Sequence, residues 1–182
     1  KMIGSELIFP KTTMLSKSFL TDQRFLILAI VGLLPMVIMN MPLGGVLLFY
    51  EVSLYFSIIW GLFFYTCFKT QQVSLKTTLS VFFLTQILVF TLWDFTGLPN
   101  LNPFYALVET SFPINILGFV FGVGLTEELV KLLPLIFILR RTKEPLIPQT
   151  MVFYGLMSGI AFGVYEGVGY QITVNAEQTY DV

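Results

Sequence analysis

Four ionisable side chains stand where apolar residues are expected. Glu127, Glu128 and Lys131 interrupt one hydrophobic run, and Glu166 interrupts the next. Insertion scales put a charged side chain near mid-bilayer at roughly 2.5–3.5 kcal/mol, so four facing lipid would cost on the order of 10 kcal/mol. They must therefore face the interior of a helix bundle and one another. Two adjacent carboxylates in a low dielectric do not both ionise comfortably, and the pair titrates as a unit. One member can then take a proton from water, as a general base does, and a nearby acid can return it to a leaving amine. That amounts to peptide-bond hydrolysis without a covalent intermediate. The same groups could instead bind and move protons or cations, as in a coupled transporter. On the residues alone these two readings stand level. A non-catalytic membrane protein that binds a partner helix is a third.

Spacing argues that the groups converge. Glu127 and Lys131 are i,i+4 with Glu first, the favourable order for a helical pair. Glu128 lies about 100° round the helix from Glu127, so both carboxylates can border one cavity. On the next run Gly155, Gly159, Gly163 and Gly167 form a four-residue ladder. Small residues at that spacing let another helix approach closely. Glu166, Phe162 and Tyr170 project on the same side as the ladder. The preceding run has its own Gly118-xxx-Gly122 pair, with Gly124 on the Glu127 side. The expectation is close packing of these two spans, with three Glu and one Lys at the seam. Plainer readings exist for each feature. The ladder serves packing, Glu127 with Lys131 fits a structural ion pair, and Glu166 fits a hydrogen-bonded core acid. Tyr170 reads as an interface aromatic. Glu51, near a span end, can snorkel, and Asp94 and Glu109 read as solvated loop charges.

What must hold these residues is a membrane bundle. The 182 residues are 55% hydrophobic and 12% charged, where a soluble domain carries roughly 25% charged residues. Net charge is −1, which leaves no basic footprint for nucleic acid. One cysteine, Cys67, cannot form an internal disulfide. With no histidine in the sequence, His-based zinc sites, Ser-His-Asp triads and Cys-His dyads are excluded from these residues.

The fold class is all-α, a polytopic transmembrane bundle of about five spans. They are placed at residues 25–41 (kinked at Pro35), 46–68, 75–93, 114–139 and 150–172. A turn at Pro42–Gly45 follows the first. Residues 1–24 read as a cytoplasmic segment, 25–172 as the membrane domain carrying the carboxylates, and 173–182 as an outer tail. Lys1, Lys11, Lys17 and Arg24 precede the first span, Lys69 and Lys76 lie between the second and third, and Arg140, Arg141 and Lys143 between the fourth and fifth. Every second connection is basic, so the N-terminus is placed in the cytoplasm. The stretch 94–112 reads as an outer loop with a short interfacial helix.

The fourth span reads Glu127-Glu128-Leu129-Val130-Lys131, an E-E-x-x-K motif, and the fifth carries Phe162-x-x-x-Glu166 after a glycine-rich run. Order and spacing over about residues 122–170 resemble the PrsW family of intramembrane proteases, distant relatives of the CAAX-processing enzymes. The resemblance implies a bacterial inner-membrane, multi-pass glutamic-type endopeptidase whose partner in the bilayer is a membrane protein or peptide substrate. It implies Glu127 as the water-activating base and Glu128 as the group that shares the proton or orients the water. Lys131 would set the charge, Glu166 would hold the water or the scissile carbonyl, and Phe162 would shape the pocket. No cofactor is expected and no residue set reads as a metal site. A divalent metal stays open, because the family has been classed both as metal-dependent and as metal-independent. Family members carry Asn after the second-motif Glu, where this chain has Gly167, and a His on a later span. The expectation is that these residues belong to a longer protein.

Overall fold

The structure, a computed structural model, describes residues 16–23, 26–27, 30–31, 46–142 and 145–173. Most of the first expected span, its Pro35 kink, the turn at residues 42–45 and nearly all of the outer tail lie outside the described residues.

Hydropathy sets the helices. Four carry the frame: α1 (Val46–Phe68), α2 (Leu75–Phe90), α3 (Leu125–Leu139) and α4 (Pro148–Thr173). Ser74 caps α2, its Oγ accepting from the Thr77 backbone N–H at 3.1 Å, which satisfies one of the free donors of the first turn. Among the described residues, three helices are long and apolar enough to cross a membrane: Leu48–Phe68, Leu75–Phe95 and Pro148–Thr173, of 21, 21 and 26 residues. At about 1.5 Å per residue, 21 residues reach about 32 Å, enough for a hydrocarbon core of about 30 Å.

Two of the expected spans contain π-helical turns. α2 runs on through a π segment, Thr91–Phe95. The fourth expected span is one helical path in three parts: Ile114–Leu117, a π segment Gly118–Gly124, then α3. Backbone angles stay right-handed helical at both junctions, Gly118 and Leu125. Pro134 lies inside α3, where it removes one rung of the helix ladder.

α4 is the central helix and packs against α1, α2 and α3. One core cluster gathers Phe68, Val81, Phe153, Tyr154, Met157 and Ala161. A second, smaller cluster joins Val89, Val130 and Phe162, with Trp93 and Tyr165 packed against it. Polar ties fix the register between helices. Tyr154 Oη donates to the Gln72 carbonyl at 3.2 Å and accepts from the Ser74 N–H at 3.1 Å. The hydroxyls of Thr70 and Thr150 meet at 2.7 Å, and those of Thr85 and Ser158 at 3.0 Å. Each such bond between membrane helices contributes about 0.6 kcal/mol on average, so together they align the helices more than they stabilise them.

Candidate active site

α3 and α4 bring Glu127, Lys131 and Phe162 together, with Glu166 one helical turn beyond Phe162. Glu127 sits in the first turn of α3 with only 20% of its side chain exposed. Glu166, on α4, is half-buried and close enough to Glu127 for the two carboxylates to feel each other's charge. Lys131 Nζ lies 3.8 Å from Glu127 Oε2 and 2.7 Å from Glu128 Oε1. The same ammonium stands 4.5 Å from the centre of the Phe162 ring, an attractive cation–π contact. Phe162 is buried, and Trp93 meets it edge-on at 5.8 Å. Ser158 Oγ donates to the Lys131 carbonyl at 2.7 Å. So Lys131 ties α3 to α4 through both its backbone and its side chain.

The structure corrects three expectations. First, Glu127 and Glu128 do not share one environment. Glu128 is turned outward with 72% of its side chain exposed, and it is the closer partner of Lys131. The i,i+3 contact wins over the i,i+4 one that spacing favours. Second, the α4 ladder does not form the α3–α4 seam. A Cβ added at Gly155 would meet only Leu135 Cδ1 at 3.8 Å, and at Gly159, Gly163 and Gly167 it would meet nothing within 4 Å among the described residues. The seam runs instead through Ser158 and Phe162, about 100° or less round the helix from the glycines. Third, Asp94 is not a free loop charge, since Tyr165 Oη donates to its Oδ2 at 2.7 Å. Tyr170 is 54% exposed and takes no part in the cluster's hydrogen bonds or ion pairs.

The close-packed glycines are those of the π segment, and their neighbour is the loop expected on the outer side rather than α4. That loop holds a short helix, Leu98–Leu101, and a 3-10 turn, Tyr105–Glu109. A Cβ on Gly122 would come within 2.8 Å of Tyr105 Cα, and one on Gly118 would collide with the Val108 backbone. Asn102 pins the contact. Its Nδ2 donates to the Phe121 carbonyl at 2.9 Å, to the Gly122 carbonyl at 3.2 Å and to Thr126 Oγ1 at 2.9 Å. A π turn pairs its backbone groups differently from the α-helix on either side, and such turns recur at functional sites. Here Asn102 supplies donors at that break, which ends three residues before Glu127. Asn102, Trp93 and Ser158 are site residues that sequence reasoning passed over. Only the three glycines at 118, 122 and 124 hinted at an irregular helix there.

The arrangement therefore offers a carboxylate from each of two helices, an ammonium beside them and an aromatic wall. Among the described residues no three His, Cys, Asp or Glu side chains gather as a metal's ligand set would.

Comparison with known proteins agrees with the motifs. No curated protein and no solved structure matches the chain. A family model described as PrsW family intramembrane metalloprotease matches residues 51–181, a stretch that includes Glu127, Glu128, Lys131 and Glu166 and all four framing helices except the first turn of α1. On that match the chain belongs to the PrsW family of intramembrane proteases.

Proposed function

We propose that this protein hydrolyses a peptide bond of a membrane-protein substrate with water activated by carboxylate. The observation that carries the reading is the Lys131 ammonium set between Glu127 of α3, 3.8 Å away, and the Phe162 ring of α4, 4.5 Å away and one helical turn before Glu166. Glu127 takes the proton from water, because it is the less exposed of the adjacent pair and faces the second helix. Glu166 holds the water or the scissile carbonyl, and Glu127 passes the proton it has taken on to the leaving amine. Glu128 acts through Lys131, holding the ammonium beside the Glu127 carboxylate, whose negative charge it balances before the proton is taken. Phe162 walls the site and keeps the ammonium in place. The proposed setting is the bacterial inner membrane with the basic connections on the cytoplasmic side.

The family description names a metal. The described donors do not fit one. Glu127 and Glu166 are two oxygen donors, Glu128 points outward into an ion pair, and Lys131 competes for the same oxygens. Structural and catalytic zinc sites recruit at least three protein ligands, commonly with His or Cys among them. No step is therefore routed through a metal.

The test is N-terminal profiling of membrane fractions from cells expressing the wild type, Glu127→Gln or Glu166→Gln. New N-termini of membrane proteins that appear with the wild type and vanish in both variants are expected. Identical profiles in all three would remove the enzyme reading.

A further inference from the structure

A second concave site is walled by α1, α2 and α4, which leave a half-open cavity of about 610 Å³. Leu54, Leu62 and Tyr65 form the α1 wall, Leu75 and Phe83 the α2 wall, and Met157 of α4 the floor. That volume is within the range of small-ligand pockets, roughly 300–1,000 Å³, but the lining is almost wholly apolar.

Its charges are arranged end to end. At the mouth, Lys69 Nζ lies 5.7 Å from the centre of the Tyr65 ring. Lys76 is exposed and follows Leu75 directly. Among the described residues, no Asp or Glu lines the cavity. Glu51, the one charged residue of α1, sits beyond Leu54 at the far end. Arg140 and Arg141 follow α3, which contributes no wall, and Arg141 is stacked 4.0 Å over Phe137. Depth is informative as well. From Tyr65 to Leu54 is eleven residues, about 16 Å of helix, or about half of a hydrocarbon core of about 30 Å. The cavity is therefore about one leaflet deep, apolar along its length and cationic only at the surface end.

We infer that this groove binds one anionic phospholipid, with an acyl chain along Leu54–Tyr65 and the phosphate at Lys69 and Lys76. The occupant must be both acyl-bearing and anionic, because the apolar walls match a hydrocarbon chain and the two lysines at the mouth match a negative headgroup. By the basic-connection rule this mouth faces the cytoplasm, the leaflet surface where anionic lipids attract such lysines.

Native mass spectrometry of the purified chain tests it, with phosphatidylglycerol and phosphatidylcholine supplied in equal amounts. Phosphatidylglycerol is expected to be retained preferentially, by about five-fold for each contributing lysine. Lys69→Gln with Lys76→Gln, both exposed and away from the core, should abolish the preference. Leu79→Trp, which fills the groove from an exposed position, should lower retention of both lipids. Glycerol 3-phosphate, which has the phosphate and no chain, should not displace the bound lipid. Equal retention of the two lipids, a preference unchanged by the double variant, or displacement by glycerol 3-phosphate would each overturn the inference. None of these outcomes depends on proteolysis.

Discussion

Two helical stretches each present glycines four residues apart, and each delivers one carboxylate to the site. Their surroundings are opposite. In the π segment, Gly118 and Gly122 lie under the backbone of the outer loop with no room for a Cβ. On α4, Gly159, Gly163 and Gly167 have open space where a Cβ would go, among the described residues. Identical spacing thus supports two different jobs. One lets a loop press on a widened helical turn and set the angle at which Glu127 enters. The other leaves a smooth, uncrowded flank beside Glu166. A four-residue glycine repeat reports that a close approach is permitted. It does not report by what, or whether the described structure uses it.

The largest expected effects come from removing the carboxylate that each stretch carries. Glu127→Gln and Glu166→Gln should each lower cleavage by about 10²–10⁴-fold, the usual contribution of a general acid or base. Glu128→Gln should lower it less, because Glu128 is exposed and acts through Lys131. Single-turnover cleavage of a substrate found by N-terminal profiling measures all three. Equal losses at Glu127 and Glu128 would mean that the outward turn of Glu128 is not the working geometry.

Next come the glycines themselves, where the comparison predicts opposite signs. Gly122→Ala forces the outer loop or the π turn to move, and overpacking of this kind costs about 1–3 kcal/mol. Gly159→Ala meets no neighbour and gains helix propensity, up to about 1 kcal/mol in its favour. Thermal unfolding in detergent should therefore place Gly122→Ala below the wild type and Gly159→Ala level with it or above. A Gly159→Ala variant as unstable as Gly122→Ala would show that a helix packs on the ladder after all.

Asn102 separates the loop's role from that of the glycines. Asn102→Ala removes donors from two carbonyls and one hydroxyl. Thr126 Oγ1 still donates to the Gly122 carbonyl at 2.6 Å, so the loss falls on the Phe121 carbonyl and costs about 1 kcal/mol, the low end for an unmet group. Amide hydrogen exchange should rise in residues 118–126 and stay unchanged in α1. Unchanged exchange over 118–126 would break the link between outer loop and π turn.

The frame was legible in the sequence because hydropathy alone decides which segments a bilayer accepts. The helix at Val46–Phe68 has the expected ends, and Pro148–Thr173 differs from expectation by two residues at its start and one at its end. The meeting of Glu127, Lys131 and Glu166 was also legible, since lipid excludes charge and few interior positions remain. Two things were not. Which of Glu127 and Glu128 turns inward is set by side-chain conformation within one helical turn, and spacing allows either. The π segments depend on tertiary partners, Asn102 for one and the contacts of Trp93 and Asp94 with α4 for the other. No local propensity encodes those partners.

The smallest expected effect is also the cleanest test of whether the second π segment matters to the site. Thr91–Phe95 carries Trp93, which packs edge-on against Phe162, and Asp94, which accepts from Tyr165. Both partners belong to α4, and Tyr165 directly precedes Glu166. Tyr165→Phe deletes one hydroxyl and keeps the ring. Asp94 is exposed, so water replaces the lost donor and the stability change should stay near 0.5 kcal/mol, the low end for a hydrogen bond. If that bond holds α4 at the angle that presents Glu166, cleavage should fall by more than so small a stability change explains, and Asp94→Asn alone, which can still accept from Tyr165, should retain most of the wild-type cleavage. If cleavage falls only in step with stability, the bond is a peripheral tie, and the Trp93–Phe162 contact alone connects this π turn to the carboxylates.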